Sequence, residues 1–348
     1  MRGLVLEGGG VKGSYQIGSY MAFRKCHIPF DGYVGTSIGS FNACMLACNQ
    51  YRVLLDFWEH VNPGDLFDFD ERFVKAIKNK EIDKKSLVGA VSTIKRLIEN
   101  KGIDNNKMVS SIYDLIDYDQ LIKSRNDFGL VTVRLSGFKP LYVYKEDIKD
   151  KKQLIEYLMA SCYFPGFKEK KILDNHFYID GGFYDNSPVI MLKNKGYDEA
   201  YVISVKGIGF NRGIPEGINV TEIKPSRDTG LILELNQDVI RDNIKMGYYD
   251  TLRVLKRLDG YKYCFKPKSE KYYKFVTRKI SSKLVRRTMN FFRTESYKEC
   301  VIKAFEYVGE QEQISYYKVY SPYQFAKKIK KIKNDKFIYR FIKGIRII

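Results

Sequence analysis

Near its start the chain twice passes from a short apolar segment through a glycine-rich turn into a helical pattern, and this constrains its fold more than any other feature. Leu4–Glu7 reads as a buried strand. Gly8-Gly9-Gly10-Val11-Lys12-Gly13 follows, and Ser14–Arg24 then carries helical periodicity through Ile17, Tyr20, Met21 and Arg24. Gly32–Gly35 is a second short strand that enters Gly35-Thr36-Ser37-Ile38-Gly39-Ser40 and the compact helix Phe41–Cys48. Strand, turn and helix in this alternation predict a parallel sheet with crossover helices.

The rest of the chain extends that plan. Residues 51–125 alternate helical patterns with charged connections and read as a helical insertion over a sheet edge. Phe128–Leu135 and Leu141–Lys145 are predicted strands around Ser136–Pro140, and Lys151–Ser161 is a predicted helix. Lys170–Leu173 and His176–Ile179 flank Asp174-Asn175, which predicts a hairpin. Ser187 and Pro188 predict a helix start with Ser187 as cap, Ala200–Val205 is another strand, and Glu234–Arg257 is a long amphipathic helix.

Gly35-x-Ser37-x-Gly39 between a strand and a helix matches the nucleophile-elbow pattern. A serine projected from a sharp turn forces the residues two before and two after it together, so both must be small. The helix that follows points its positive end at the serine. A plain strand-to-helix turn would need the same glycines. The earlier loop, Gly8 to Gly13, can converge backbone N–H groups on an anion, as an oxyanion hole does. Gly8-x-Gly10-x-x-Gly13 also matches a dinucleotide fingerprint, but Asp31 precedes the second strand instead of ending it. Lys12-Gly13-Ser14 reverses the order a Walker A loop needs.

A nucleophilic serine needs a proton acceptor. The only histidines are His27, His60 and His176, and none sits in a pattern that marks a catalytic base. Asp180, which ends the strand His176–Ile179 and is followed by Gly181-Gly182, is the better candidate. His176 and Asp180 share a strand face but stand about 13 Å apart along it, too far for both to reach one serine. An aspartate with an ordinary pKa of about 3.9 is a poor base at neutral pH, so burial must raise its proton affinity.

These blocks resemble the patatin-like phospholipase family. Gly8–Gly13 looks like its oxyanion loop and Gly35–Ser40 its nucleophile block. Ala160-Ser161-Cys162-Tyr163-Phe164-Pro165 resembles the block between nucleophile and base, and Asp180-Gly181-Gly182-Phe183-Tyr184-Asp185-Asn186-Ser187-Pro188 the block with the dyad aspartate. The order is the family's. Lys12 departs from the usual arginine, keeping the charge and losing the planar fork, and the third block is less alanine-rich than usual. The resemblance implies a three-layer α/β/α domain with a mostly parallel sheet. It also implies a Ser37–Asp180 dyad supported by Gly181 and Gly182, elbow glycines Gly35 and Gly39, lipid acyl esters as substrates, and no metal or cofactor. A soluble esterase or thioesterase on small acyl substrates, or a non-catalytic module binding a nucleotide or other anion, are the alternatives.

Charge divides the chain. From Gly260 to Ile348 there are 23 Lys and Arg against 7 Asp and Glu, a net of +16, whereas residues 1–259 carry only +3 of the total +19. A catalytic domain over 1–259 and a basic helical region over 260–348 are expected, the latter seeking an anionic surface. In Phe337–Ile348, Ile338, Phe341, Ile342 and Ile345 share one helical face while Lys336, Arg340, Lys343 and Arg346 tend to the other, as in a helix lying on an anionic membrane. Packing within a subdomain is the first expectation, membrane binding the second, and nucleic acid a distant third. The apolar start is too short for a signal peptide, no stretch suits a membrane span, and the six scattered cysteines suggest reduced thiols. A cytoplasmic protein, peripheral on the inner membrane face, is expected.

Overall fold

The computed structural model describes residues 1–61, 106–164, 170–232 and 236–346. Chain contacts divide it into two compact units, Met1–Tyr248 and Tyr249–Ile348. The division falls earlier than the charge shift at residue 260, inside a helix, because α8 (Gln237–Leu255) runs across it.

The first unit is built on a seven-stranded mixed sheet of β1 (Arg2–Leu6), β2 (Gly32–Thr36), β3 (Asp127–Arg134), β4 (Lys139–Tyr144), β5 (Tyr178–Asp180), β6 (Glu199–Ile203) and β7 (Asn219–Ile223). The order along it is β4-β3-β2-β1-β6-β7, with β5 attached to β3. The strands from β3 to β7 along this path are parallel, and β4 and β5 are antiparallel to β3.

Strand alternation distributes the two faces. Val5, Val34, Val131, Ala200 and Val202 pack with Val189, Met191 and Leu192 of α7 (Val189–Asn194). The residues between them look the other way. Tyr201 meets Phe23 of α1 (Ser14–Lys25) at 5.0 Å between ring centroids, and Gly35 lies against Gly39 of α2 (Ile38–Ala47). Helices therefore cover both faces, giving the expected α/β/α layering. Close approach is built into this layer: a side chain at Gly18 of α1 would meet Ile244 O of α8 at 1.8 Å, and one at Gly247 would meet Tyr15 O at 2.0 Å.

Of the helical insertion over residues 51–125, α3 (Tyr51–His60), α4 (Asn106–Leu115) and α5 (Tyr118–Lys123) are described, residues 62–105 lie outside the described part, and the predicted helix after β4 is present as α6 (Lys151–Ser161). Two local expectations need correction. The turn at Asp174-Asn175 is present, with positive φ at both residues, but its strand pairs with β3 and not with 170–173. Pairing with β3 satisfies several backbone groups, whereas across the turn only the Ile172 N–H donates to His176 O and the His176 N–H to Leu173 O. Helix α7 starts one residue later than expected, with Pro188 at its cap position. The Ser187 hydroxyl caps nothing and has no hydrogen-bond partner, while the Ser187 N–H donates to Asp185 Oδ1.

The second unit packs α9 (Glu270–Thr277), α10 (Ser282–Phe292), α11 (Tyr297–Gln311), α12 (Pro322–Lys330) and α13 (Phe337–Gly344) with a short parallel pair, β8 (Cys264–Phe265) and β9 (Val319–Tyr320). Its core gathers Tyr263, Phe265, Phe305, Tyr320 and Phe325. Ile338, Phe341, Ile342 and Ile345 are buried in the same core. The apolar face of the terminal helix is thus spent on internal packing, so it is not the face that would enter a membrane.

Candidate active site

The sheet brings Ser37 and Asp180 together by a hand-over along one edge of β3. Strand β2 pairs with the first part of β3 and ends with Thr36 opposite Val131. The next β3 residue, Thr132, is opposite Asp180, the last residue of β5. Where β2 stops, β5 arrives from the other direction, so the residue after Thr36 and the end of β5 meet over the same strand. The Ser37 hydroxyl is near enough to Asp180 to pull its carboxyl down.

Ser37 sits at φ 54, ψ −133, a left-handed conformation that is strained for a side chain other than glycine. The contacts around it hold that strain. The Ser37 N–H donates to Ser161 Oγ at 2.9 Å, and the Ser161 hydroxyl donates to Val131 O at 2.7 Å. The Ser40 hydroxyl donates to Ser37 O at 2.6 Å. A side chain at Gly35 would lie 2.3 Å from Gly39 O, and one at Gly39 would lie 2.1 Å from Leu6 O. Neither clash can be relieved by a rotamer change, because the obstructing atoms are backbone.

Asp180 is buried, and burial pushes its carboxyl up to about 6, against the opposing pull of the Ser37 hydroxyl and the Gly182 N–H. The latter donates to Oδ1 at 2.8 Å. The Asp180 N–H donates to Tyr163 O at 2.9 Å. A side chain at Gly181 would meet Val131 O at 2.1 Å, and one at Gly182 would meet Asn186 Oδ1 at 2.8 Å. Cys162 is buried beside the pair, its thiol pushed up by burial and by the Asp180 charge.

The glycine loop lies against the elbow: a side chain at Gly8 would meet Ser37 Cβ at 3.0 Å. Not all of its amides are open to a ligand. The Gly8 N–H donates to Asn186 O at 3.2 Å and the Val11 N–H to Ile232 O at 2.8 Å. Of the six residues Gly8 to Gly13, Gly8 and Val11 thus have their amides engaged within the protein. Gly10 has φ +58 and no room for a side chain, which would strike Ile232 O at 2.2 Å. Lys12 Nζ donates to Lys206 O at 3.3 Å, tying the loop to the segment after β6.

The histidines lie elsewhere. His27 is exposed at the end of α1, His60 on α3 pairs with Asp56 at 3.2 Å, and His176 is half-buried in the turn before β5. Among the described residues no group of three or more His, Cys, Asp or Glu side chains could hold a metal ion.

The structure also assigns work to residues that the sequence reading left without any. Besides Ser161, Asn186 accepts from Gly8 N–H, donates from Nδ2 to Gly8 O at 3.1 Å, and walls off Gly182 and Gly209. Both residues stand inside the resembling blocks, so their block positions were the available signal. Glu7 is buried at the end of β1, accepts from Ser204 Oγ and Val205 N–H, and has its carboxyl pushed up by burial. A cavity of about 230 Å³ opens beside Tyr163, with Ile155, Met159 and Ile172 in its wall and Lys152, Glu156, Lys170 and Lys171 around it.

The family model for patatin-like phospholipases matches residues 4–193. "Uncharacterized protein YjjU" of Escherichia coli (strain K12) is 27% identical over 206 residues, covering 58% of this chain and 50% of that protein. The chain thus spans about half the length of this curated relative. A crystal structure of VipD from Legionella pneumophila is similar with a TM-score of 0.42 and 12% identity, over 98% of this chain and 83% of that one. Since the family match spans more than half of the sequence and takes in the glycine loop, the elbow and the Asp180 turn, the chain belongs to the patatin-like phospholipase family.

Proposed function

We propose that this protein hydrolyses lipid acyl esters with Ser37 as nucleophile and Asp180 as its sole general base. The observation that carries the reading is the register that brings the Ser37 turn to Asp180, a buried carboxylate whose affinity for a proton is raised to about 6. Such a group is ionised at neutral pH yet basic enough to take a proton from an attacking hydroxyl.

The reaction has two halves. Asp180 accepts the Ser37 proton while Oγ attacks the ester carbonyl, and the developing oxyanion is held by the Gly9 and Gly10 amides. Collapse of the tetrahedral adduct expels the alcohol, which takes the proton from Asp180. Water then attacks the acyl-serine as Asp180 takes its proton, and Asp180 returns that proton to the departing Ser37 Oγ as the fatty acid leaves. The cavity beside Tyr163 is of a size and apolarity to receive part of an acyl chain.

The test is fatty-acid release from phospholipid vesicles, compared with hydrolysis of short-chain esters, by the wild type and Ser37→Ala. Release that disappears in the variant supports the reading. Turnover of short esters alone would move it to a soluble esterase. No turnover together with nucleotide-dependent thermal stabilisation would favour an anion-binding module.

A further inference from the structure

The excess charge of the second unit is directed outward by the way its carboxylates are used. Glu306 is buried and accepts the N–H groups of Tyr261, Lys262 and Tyr263 at 2.7, 2.8 and 3.0 Å. Glu270 accepts from Ser296 Oγ and from the N–H groups of Tyr297 and Lys298 at the start of α11. Glu299 and Glu310 pair with Lys303 and Lys262, and Glu312 accepts from the Tyr339 hydroxyl at 2.5 Å. Five of the seven acidic side chains between 260 and 348 thus serve internal structure, in a stretch that carries 23 basic ones.

The basic residues are arranged in stripes. On α9 and its C-terminal cap, Lys271, Lys274, Phe275 and Arg278 are all exposed at spacings that put them on one helical face. On α10, Lys283, Arg286, Arg287 and Phe291 form a second exposed stripe of the same kind. Each stripe carries an outward phenylalanine, 40% exposed at Phe275 and 51% at Phe291. Arg278 and Arg346 lie over the Phe275 ring, at 4.0 and 5.8 Å from its centroid.

We propose that the α9 and α10 stripes dock this protein on an anionic lipid bilayer. Lysine and arginine near such a surface are attracted by its potential, and an outward aromatic among them can enter the headgroup boundary. Charge complementarity fits an anionic surface, and the aromatics favour a bilayer over nucleic acid. Base stacking needs open ring faces, whereas Phe275 already carries guanidinium groups and Phe291 packs against Phe292, Tyr307 and Phe337 at 4.9 to 5.8 Å. The proposal stands without the hydrolase reading, because binding requires no turnover.

The experiment is co-sedimentation of full-length Ser37→Ala protein with phosphatidylcholine vesicles, with the same vesicles containing phosphatidylglycerol, and with duplex DNA. Binding only to the phosphatidylglycerol vesicles is expected. It should fall on the order of a hundredfold or more in Lys271→Glu/Lys274→Glu/Arg278→Glu, since each basic residue near the surface contributes about one kcal/mol. Phe275→Ala, which leaves the charge intact, should weaken binding less. Circular dichroism identifies a misfolded triple variant, for which Lys283→Gln/Arg286→Gln is the second test. Equal binding to both vesicle types, unchanged binding by folded stripe variants, or DNA binding without vesicle binding would each overturn the proposal.

Discussion

At the residue scale the account depends on how Asp180 titrates. Its carboxyl is raised to about 6 from an ordinary 3.8, chiefly by burial. As a base it must be ionised, so kcat/KM should rise with pH along an acid limb centred near 6 and level off above it. The same shift has a stability consequence of opposite sense. Between about 4 and 6 the folded protein holds a proton that the unfolded chain has released, so this residue's contribution falls as pH rises through that window. Asp180→Asn should therefore nearly abolish turnover while raising Tm at pH 8. The gain, on the order of 3 kcal/mol as an upper bound, should vanish toward pH 4. Thermal melts across that range check the sign. Ser161 is a positioning residue: Ser161→Ala removes the acceptor for the Ser37 N–H, so kcat should drop roughly tenfold with KM little changed. A merely structural residue would lower Tm and leave the kcat of the folded fraction intact.

At the element scale the site is a consequence of where strands end. The elbow was legible because its glycines have no alternative: Gly39→Ala would place a methyl group 2.1 Å from Leu6 O. That substitution should lower Tm by several degrees or prevent soluble expression, a cost of about 3 kcal/mol or more. The Asp180 turn was legible for the same reason. The hand-over from β2 to β5 along β3 was not, since three residues of β5 carry no pattern that names their partner. The turn at Asp174-Asn175 pointed instead to a local hairpin, and a long-range pairing overrode it. Ser161 was hidden because its role depends on the register of β3, which a single sequence does not specify. The glycine loop was legible as a loop, but which of its amides stay open depends on Asn186 and Ile232, far along the chain.

At the scale of the whole molecule, the excess charge gathers from residue 260 onward, and chain contacts divide the molecule between Tyr248 and Tyr249. Periodicity identified the apolar face of α13 and could not say what covers it. The answer is the unit's own core, where Phe325 is fully buried among Tyr263, Phe265, Phe305 and Tyr320. Phe325→Ala should cost about 3–5 kcal/mol, read as a lowered denaturation midpoint. The measurement that tests the central claim most directly is the mass-spectrometric mapping of a fluorophosphonate adduct. The account predicts modification of Ser37 in the wild type and in His176→Ala at similar rates, and a rate lowered by at least about a hundredfold in Asp180→Asn. An adduct elsewhere, or labelling of Ser37 that ignores Asp180 and fails without His176, would contradict it.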